Sequence, residues 1–292
     1  MAGGVERVQE RLRAGILSAR ERGEALAYLR RSPWRNLLLI ELAATVGAPG
    51  APSELPSQVL GAWRGDALVG LVSVRPSLVL DAELEPDVLE AFLPRLEALD
   101  TGLVKSSEPV VSALWTRLAA QGRRALIDRI ETAYALEPGA AALPGIPAQG
   151  DLVARPARER DLEALVVAAR ASLREENRPD PFEGDPAGFQ RWVRGRLHRA
   201  RVIESRGRVA FVGYADVRRP EGWLIQGVYT WPEQRRRGMA AAGMAALVRE
   251  AFAAGAAHVQ LAVVNGNTPA ERLYQGLGFE PFDTVRTILF AR

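Results

Sequence analysis

The sequence predicts an α+β protein of two consecutive halves, each a sheet with helices laid against it. Three observations carry that reading. Short apolar and β-branched runs alternate with longer segments whose apolar positions recur at helical spacing. Residues 138–151, rich in Pro, Gly and Ala and without a hydrophobic period, interrupt the chain near its middle. A glycine-bearing arginine run stands at a strand-to-helix junction in the second half and has no counterpart in the first. With 292 residues and 48% of them apolar, both halves can bury a core.

Taken in order, Val5 to Leu29 is helical by composition and spacing, and Ser32-Pro33 opens a second helical run through Leu42. Gly47 to Pro56 reads as a surface loop. Gln58 to Trp63 and Leu68 to Val74 read as strands joined by an Arg64-Gly65-Asp66 turn. A helix over Glu85 to Leu99, a short strand over Gly102 to Lys105, a helix over Glu108 to Ala120 and a strand or strand pair over Ala125 to Leu136 complete this half. The predicted organisation is residues 1–140, a linker at 141–150, and residues 151–292.

In the second half, Arg201 to Glu204 and Val209 to Asp216 flank an Arg206-Gly207 turn and read as a hairpin. Leu224 to Thr230 is a strand that feeds Arg235-Arg236-Arg237-Gly238-Met239-Ala240, after which an alanine-rich helix begins. A loop of this kind suits a pyrophosphate: successive backbone N–H groups point into the turn, Gly238 permits close approach, and the helix N-terminus adds about half a positive charge. Val259 to Val264 is another strand-like run, followed by Asn267-Thr-Pro-Ala270-Glu-Arg-Leu273-Tyr274 and Gly278-Phe279.

Charge and composition narrow the function classes. Cysteine is absent, which removes disulfides, thiolate metal sites and cysteine nucleophiles. The two histidines, His198 and His258, suggest no metal site. Residues 1–148 carry 16 basic and 18 acidic side chains and residues 149–292 carry 22 and 17, so the positive excess lies with the arginine loop. That excess is too small for a nucleic-acid stripe, and the preference for Arg over Lys carries no functional reading. No apolar run reaches the length of a membrane span and the N-terminus lacks a signal-like core, which makes the cytoplasm the default location.

The phosphate-type loop, the N-x-x-A-x-x-L-Y pattern at Asn267 to Tyr274, and Gly278-Phe279 resemble, in order and distance, the coenzyme A-binding half of the GNAT superfamily of N-acyltransferases. Val153 to Ala157 and Asp161-Leu162 resemble that family's first strand and helix opening. The resemblance implies a GNAT fold, a mixed central sheet flanked by helices, over residues 151–292. The parallel element order of the first half implies a degenerate copy of the same fold, without a phosphate loop and with Trp115 near the place of the tyrosine; an α+β cap of another fold is the alternative.

For function, the resemblance implies an acetyl-coenzyme A-dependent N-acetyltransferase in which a primary amine attacks the thioester directly. Tyr274 would protonate the leaving thiolate. Cofactor contacts would come from Val228, Tyr229 and Thr230 on the strand, from Arg235, Arg236, Arg237, Gly238, Met239 and Ala240 in the loop, and from Asn267 and Tyr274. Asn267 would serve equally as a helix N-cap. A main-chain N–H near Val228 would be the oxyanion donor.

No Asp or Glu lies between Trp223 and Pro232, so a base must come from elsewhere. Glu175-Glu176 is the candidate pair, with Glu176 taken as the amine's base; a solvated helix end is the competing reading. The acceptor would be a small amine or an amino-acid or peptide amine. A non-catalytic acetyl-coenzyme A sensor and a transferase using a larger acyl donor or an aminosugar are the alternatives. Edge pairing of such sheets offers a route to a homodimer.

Overall fold

The computed structural model describes residues 12–48, 57–140 and 152–292. Its first half runs β1 (Leu12–Ile16), α1 (Arg22–Leu29), α2 (Pro33–Ala44), β2 (Gln58–Arg64), β3 (Ala67–Arg75), β4 (Leu78–Leu80), α3 (Pro86–Leu96), β5 (Gly102–Ser107), α4 (Glu108–Ala120) and β6 (Arg124–Leu136). The second repeats that order: β7 (Ala154–Pro156), α5 (Leu162–Glu175), α6 (Pro186–Gly195), β8 (Ala200–Ser205), β9 (Arg208–Arg219), β10 (Gly222–Thr230), α7 (Met239–Ala253), β11 (Val259–Val264), α8 (Thr268–Gly276) and β12 (Glu280–Ala291). Strand, two helices, hairpin, strand, helix, strand, helix, strand occurs twice.

The two repeats build one 12-stranded mixed sheet in the order β1-β2-β3-β4-β5-β12-β6-β11-β10-β9-β8-β7. Its centre is an exchange: β12 lies between β5 and β6, and β6 lies between β12 and β11. The exchange is symmetric. β5 pairs with β12 from Gly102↔Phe290 to Ser107↔Val285, and β11 pairs with β6 from Val259↔Leu136 to Val264↔Glu131. Position by position, Gly102 to Ser107 therefore correspond to Val259 to Val264. The division near residues 141–150 describes the order of the sequence, whereas in the sheet each half contributes a strand to the other.

Alternation of side chains along the strands sorts the helices onto two faces. On one face α3 and α4 cover Leu60, Val72, Val104, Ile288 and Phe290, and α7 and α8 cover Tyr134, Phe211, Ile225 and Leu261. On the other, α1 and α2 cover Val59, Leu71 and Val79, and α5 and α6 cover Val202, Val212, Tyr214 and Tyr229. Helix α2 also reaches the second half, where Leu37 packs with Val217 and Leu224.

Most predicted elements are present within a residue or two, with three differences. Val5 to Leu29 is not one helix: residues 1–11 lie outside the described set, Leu12–Ile16 is a strand with five antiparallel rungs to β2, and the helix covers Arg22–Leu29. Pairing at the sheet edge overrides a sequence compatible with a helix, as tertiary contacts commonly do. The short β4 and the long β12 were not anticipated from the sequence. Most of the Gly47 to Pro56 loop and of the linker falls on residues outside the described set.

Candidate active site at the β10–β11 junction

Strands β10 and β11 run parallel but pair at only two rungs, Trp223↔Val259 and Leu224↔Gln260. Beyond that crotch β10 follows β9 while all six residues of β11 follow β6, so a wedge opens between them. A bulge bends β10 further. Its register with β9 jumps between Gln226↔Tyr214 and Tyr229↔Val212, leaving Gly227 and Val228 outside the ladder. Gly227 has φ 58°, in the left-handed region open to glycine at little cost. A backbone N–H at the bulge is thereby freed from sheet pairing, as an oxyanion donor must be. At the outer end of the wedge Thr230 Oγ1 is buried without a hydrogen-bond partner among the described residues.

The arginine loop closes that outer end. The turn Trp231 to Arg235 leads into Arg236 and Gly238, both with positive φ (59° and 77°), and Gly238 caps α7. Among the described residues no backbone hydrogen bond takes up the N–H groups of Arg236, Arg237 and Gly238, and the first amides of α7, at Met239 and Ala240, have no intrahelical partner by construction. A Cβ at Gly238 would meet nothing within 4 Å, so the loop's concave side is open. These donors, the orphaned Thr230 hydroxyl and the unpaired strand edges fit a pyrophosphate followed by an amide-bearing arm such as pantetheine.

Arg235 does not point outward as a free counter-charge. Its Nε donates to the Thr230 carbonyl at 3.0 Å and its Nη2 reaches both Glu175 oxygens at 2.8 Å. The Tyr229 hydroxyl donates to the same carboxylate at 3.1 Å. Burial and the Glu175 carboxylate push the Tyr229 phenol above its ordinary range, so it remains a donor. Glu175 therefore clamps the end of α5 onto β10 and the start of the loop.

Tyr274 is buried in the apolar cluster that also contains Leu261 and Val263 of β11, with Val228 and Ala240 packed against it. Its ring meets Phe279 edge-on at 5.8 Å between centroids. Burial drives its phenol well above the ordinary range, so the hydroxyl carries its proton at any working pH. Asn267 is the N-cap of α8, its side chain accepting from the Ala270 N–H at 3.3 Å with Pro269 following in the first turn.

Glu176 is engaged elsewhere. One of its oxygens is shared by Arg129 at 2.8 Å and Arg178 at 3.5 Å, and the other accepts from Ser172. Through Arg129 it joins a chain of charges running to Glu131 and Lys105. Behind the crotch, on the α2 side of the sheet, lies a cavity of about 70 Å³ lined by Leu224, Gln226, Gln260 and Ala262 and, from the other half, by Trp34 and Lys105. Its charged lining residues are Arg35, Lys105 and Asp283. Lys105 and Asp283 escaped sequence analysis: Asp283 lies on the unanticipated β12, and Lys105 reaches the cavity only because β5 and β12 are neighbours.

Residues 165–279 match the acetyltransferase (GNAT) family model. Comparison with curated proteins finds no match. Among solved structures, a Drosophila protein is 17% identical and superposes with a TM-score of 0.67 over 94% of this chain and 98% of its own. A GCN5-related N-acetyltransferase from Sphaerobacter thermophilus is 16% identical with a TM-score of 0.55, over 96% of this chain and 94% of its own. A tandem GNAT protein from the clavulanic acid biosynthesis pathway is 14% identical with a TM-score of 0.54, over 96% and 98%. At these identities the likeness is one of fold, and it spans both halves.

Proposed function

We propose, from the premise that residues 165–279 form an acetyltransferase domain of the GNAT family, that the protein transfers an acetyl group from acetyl-coenzyme A to a primary amine. The observation that carries this reading is the wedge between β10 and β11, open on both strand edges and ending on a loop of unpaired backbone donors. Acetyl-coenzyme A bound there supplies a thioester, whose C–S bond breaks as the amine nitrogen forms its bond to the carbonyl carbon.

The chain's own residues have separable tasks in this reading. Arg236, Arg237, Gly238 and the first turn of α7 hold the diphosphate through backbone N–H groups, with Arg236 and Arg237 adding charge at the rim. The freed edge of Val228 to Thr230 pairs with the arm's amides, and the bulge at Gly227 and Val228 aims a backbone N–H at the developing oxyanion. Tyr274, protonated and buried, hands its proton to the departing sulfur and regains one from the proton lost by the amine. Asp283 is the carboxylate lining the cavity behind the crotch and is placed to take that amine proton, while Glu176 stays in its arginine pairs. Absence of cysteine is consistent with direct attack without an acyl-enzyme.

Calorimetry with acetyl-coenzyme A and a thiol-release assay against an amine panel test the proposal, with Tyr274→Phe in parallel. Expected is binding of one cofactor per chain and amine-dependent release. In the Phe variant release falls at least about a hundredfold, the scale of a lost general acid, while cofactor affinity is kept. Binding without release for any amine would leave a sensor in place of the enzyme.

A further inference from the structure

We propose that the acceptor is a small amine that also carries a carboxylate, in chemical class a free amino acid, and that Lys105 of the first half holds that carboxylate while the amine faces the β10–β11 crotch. This deepens the acetyltransfer reading and rests on it. The cavity behind the crotch is small, about 70 Å³, and is walled by both halves, which favours a compact acceptor over a peptide.

Its electrostatics run from one end to the other. Register places Asp283 level with Ala133 and so with Ala262, the first open rung beside the crotch, whereas Lys105 is level with Thr287 and Arg129, farther along the sheet. At the crotch end the charged groups are Arg35, Asp283 and Glu83, with Arg35 3.4 Å from each carboxylate, a set of one cation and two anions. At the far end Lys105, Glu131, Arg129, Glu176 and Arg178 form a chain of three cations and two anions. A negative end at the crotch and a positive end at Lys105 complement a zwitterion whose ammonium enters first toward the wedge.

Donor capacity points the same way. The Lys105 ammonium has three N–H groups and spends one on Glu131 at 2.5 Å. Glu131 is itself buried and satisfied from its other side by Arg129 at 2.9 Å. Lys105 thus lines the cavity with donors to spare, and Ser107 and Gln260 offer further polar contacts. It is the chain's single lysine among 38 basic residues. A compact ammonium suits a space this small better than a planar guanidinium fork.

The test is calorimetry of glycine, alanine and serine, each compared with its methyl ester and with the corresponding amine lacking the carboxylate. Titrations use the full chain with and without coenzyme A, and the same compounds enter the thiol-release assay. Expected is a preference for the amino acid of roughly tenfold to a hundredfold, the scale of one charge-assisted hydrogen bond. In Lys105→Met the preference disappears, with amino acids losing affinity and the plain amines unchanged; Lys105→Arg, which keeps the charge, retains part of it. The wild-type comparison stands whether or not the Met variant folds. Esters or plain amines that match the amino acids, or amino acids that bind in neither state, would overturn the proposal. Transfer confined to carboxylate-free amines would overturn it while leaving the acetyltransferase reading intact, and failure of acetyl-coenzyme A to bind would remove that reading separately.

Discussion

In the second half β10 and β11 part after Leu224↔Gln260, but in the first half β4 and β5 pair at Leu78↔Val104 and Val79↔Lys105. By the symmetric register around the central exchange, Val104 and Lys105 correspond to Leu261 and Ala262, where the second half is already open. The first half then continues to seal the seam: Ser106 Oγ donates to the Leu80 carbonyl at 2.7 Å and Ser107 Oγ to the Ala82 carbonyl at 2.6 Å. Where the second half has an arginine loop with unpaired N–H groups, the first has Glu83, Glu85, Pro86 and Asp87. Its backbone donors there are already taken: Ala82 N–H by Asn36 and Glu83 N–H by Asp81. One topology thus yields a ligand slot or a structural seam, and the choice is made by a bulge, a glycine and the sign of a few charges. The sealed half keeps a role, because its α2, β5 and β6 supply one wall of the cavity behind the working half's crotch.

Closing the open junction is the strongest way to break this contrast. Gly227→Val places a β-branched residue at φ 58°, with a Cβ 3.0 Å from the Tyr214 ring. The expected result is loss of the bulge geometry, a fall in transfer rate of at least about a hundredfold as for a lost oxyanion donor, and about 1–3 kcal/mol of strain read as a lowered Tm. Unchanged kcat would show that the bulge does not aim the catalytic N–H.

Buried carboxylates in the two halves offer a second contrast. Asp161, at the start of α5, accepts from Arg155 at 2.7 and 2.9 Å and from the Arg158 N–H at 2.7 Å, and the Arg155 guanidinium holds its carboxyl below the usual range. Its folded pKa is depressed, so its stabilisation is present above the unfolded value of about 4 and is lost as pH falls through the folded value. Asp161→Asn should cost about 2–3 kcal/mol at pH 7 in urea titrations, and the gap to wild type should close only below about pH 4.

Asp81 in the first half has the opposite sign. Burial pushes its carboxyl up despite hydrogen bonds from Tyr28, the Glu83 N–H and Asn36. Folding holds its proton more tightly, so its contribution grows as pH falls through the raised value.

The smallest expected effect comes from unsealing the first half. Ser106→Ala with Ser107→Ala removes two side-chain hydrogen bonds across the β4–β5 seam and should cost about 1–2 kcal/mol, seen as an earlier denaturation midpoint. Calorimetry should still count one coenzyme A per chain, since the acidic residues before α3 and the missing N–H of Pro86 remain. A second cofactor in the double variant would mean that the seam alone decides where the ligand goes.

Much of this was legible in the sequence because local chemistry carries it. Gly238 beside three arginines, Asn267 before Pro269, and Tyr274 one turn of helix later are near neighbours in the chain, and each acts through its own turn or helix end. Gln58 to Val74 and Arg201 to Asp216 were legible as hairpins for the same reason. What was not legible depends on partners far away. Leu12 to Ile16 is a strand because β2 lies beside it, and β12 has 11 rungs to a strand of the other half. Glu176, the carboxylate the sequence favoured as base, is claimed by Arg129 across the exchange, while its neighbour Glu175 clamps Arg235 and Tyr229.

By itself the sequence determined the element order of both halves, the position of the phosphate-type loop and the phenol poised behind it, because periodicity, capping and turn chemistry act within a few residues. Tertiary structure alone decided that β6 and β12 are exchanged, that the two strand junctions differ, and that Lys105 and Asp283 line one cavity. Those outcomes depend on pairing and burial between segments well over a hundred residues apart in the chain, where no local preference of the sequence reaches.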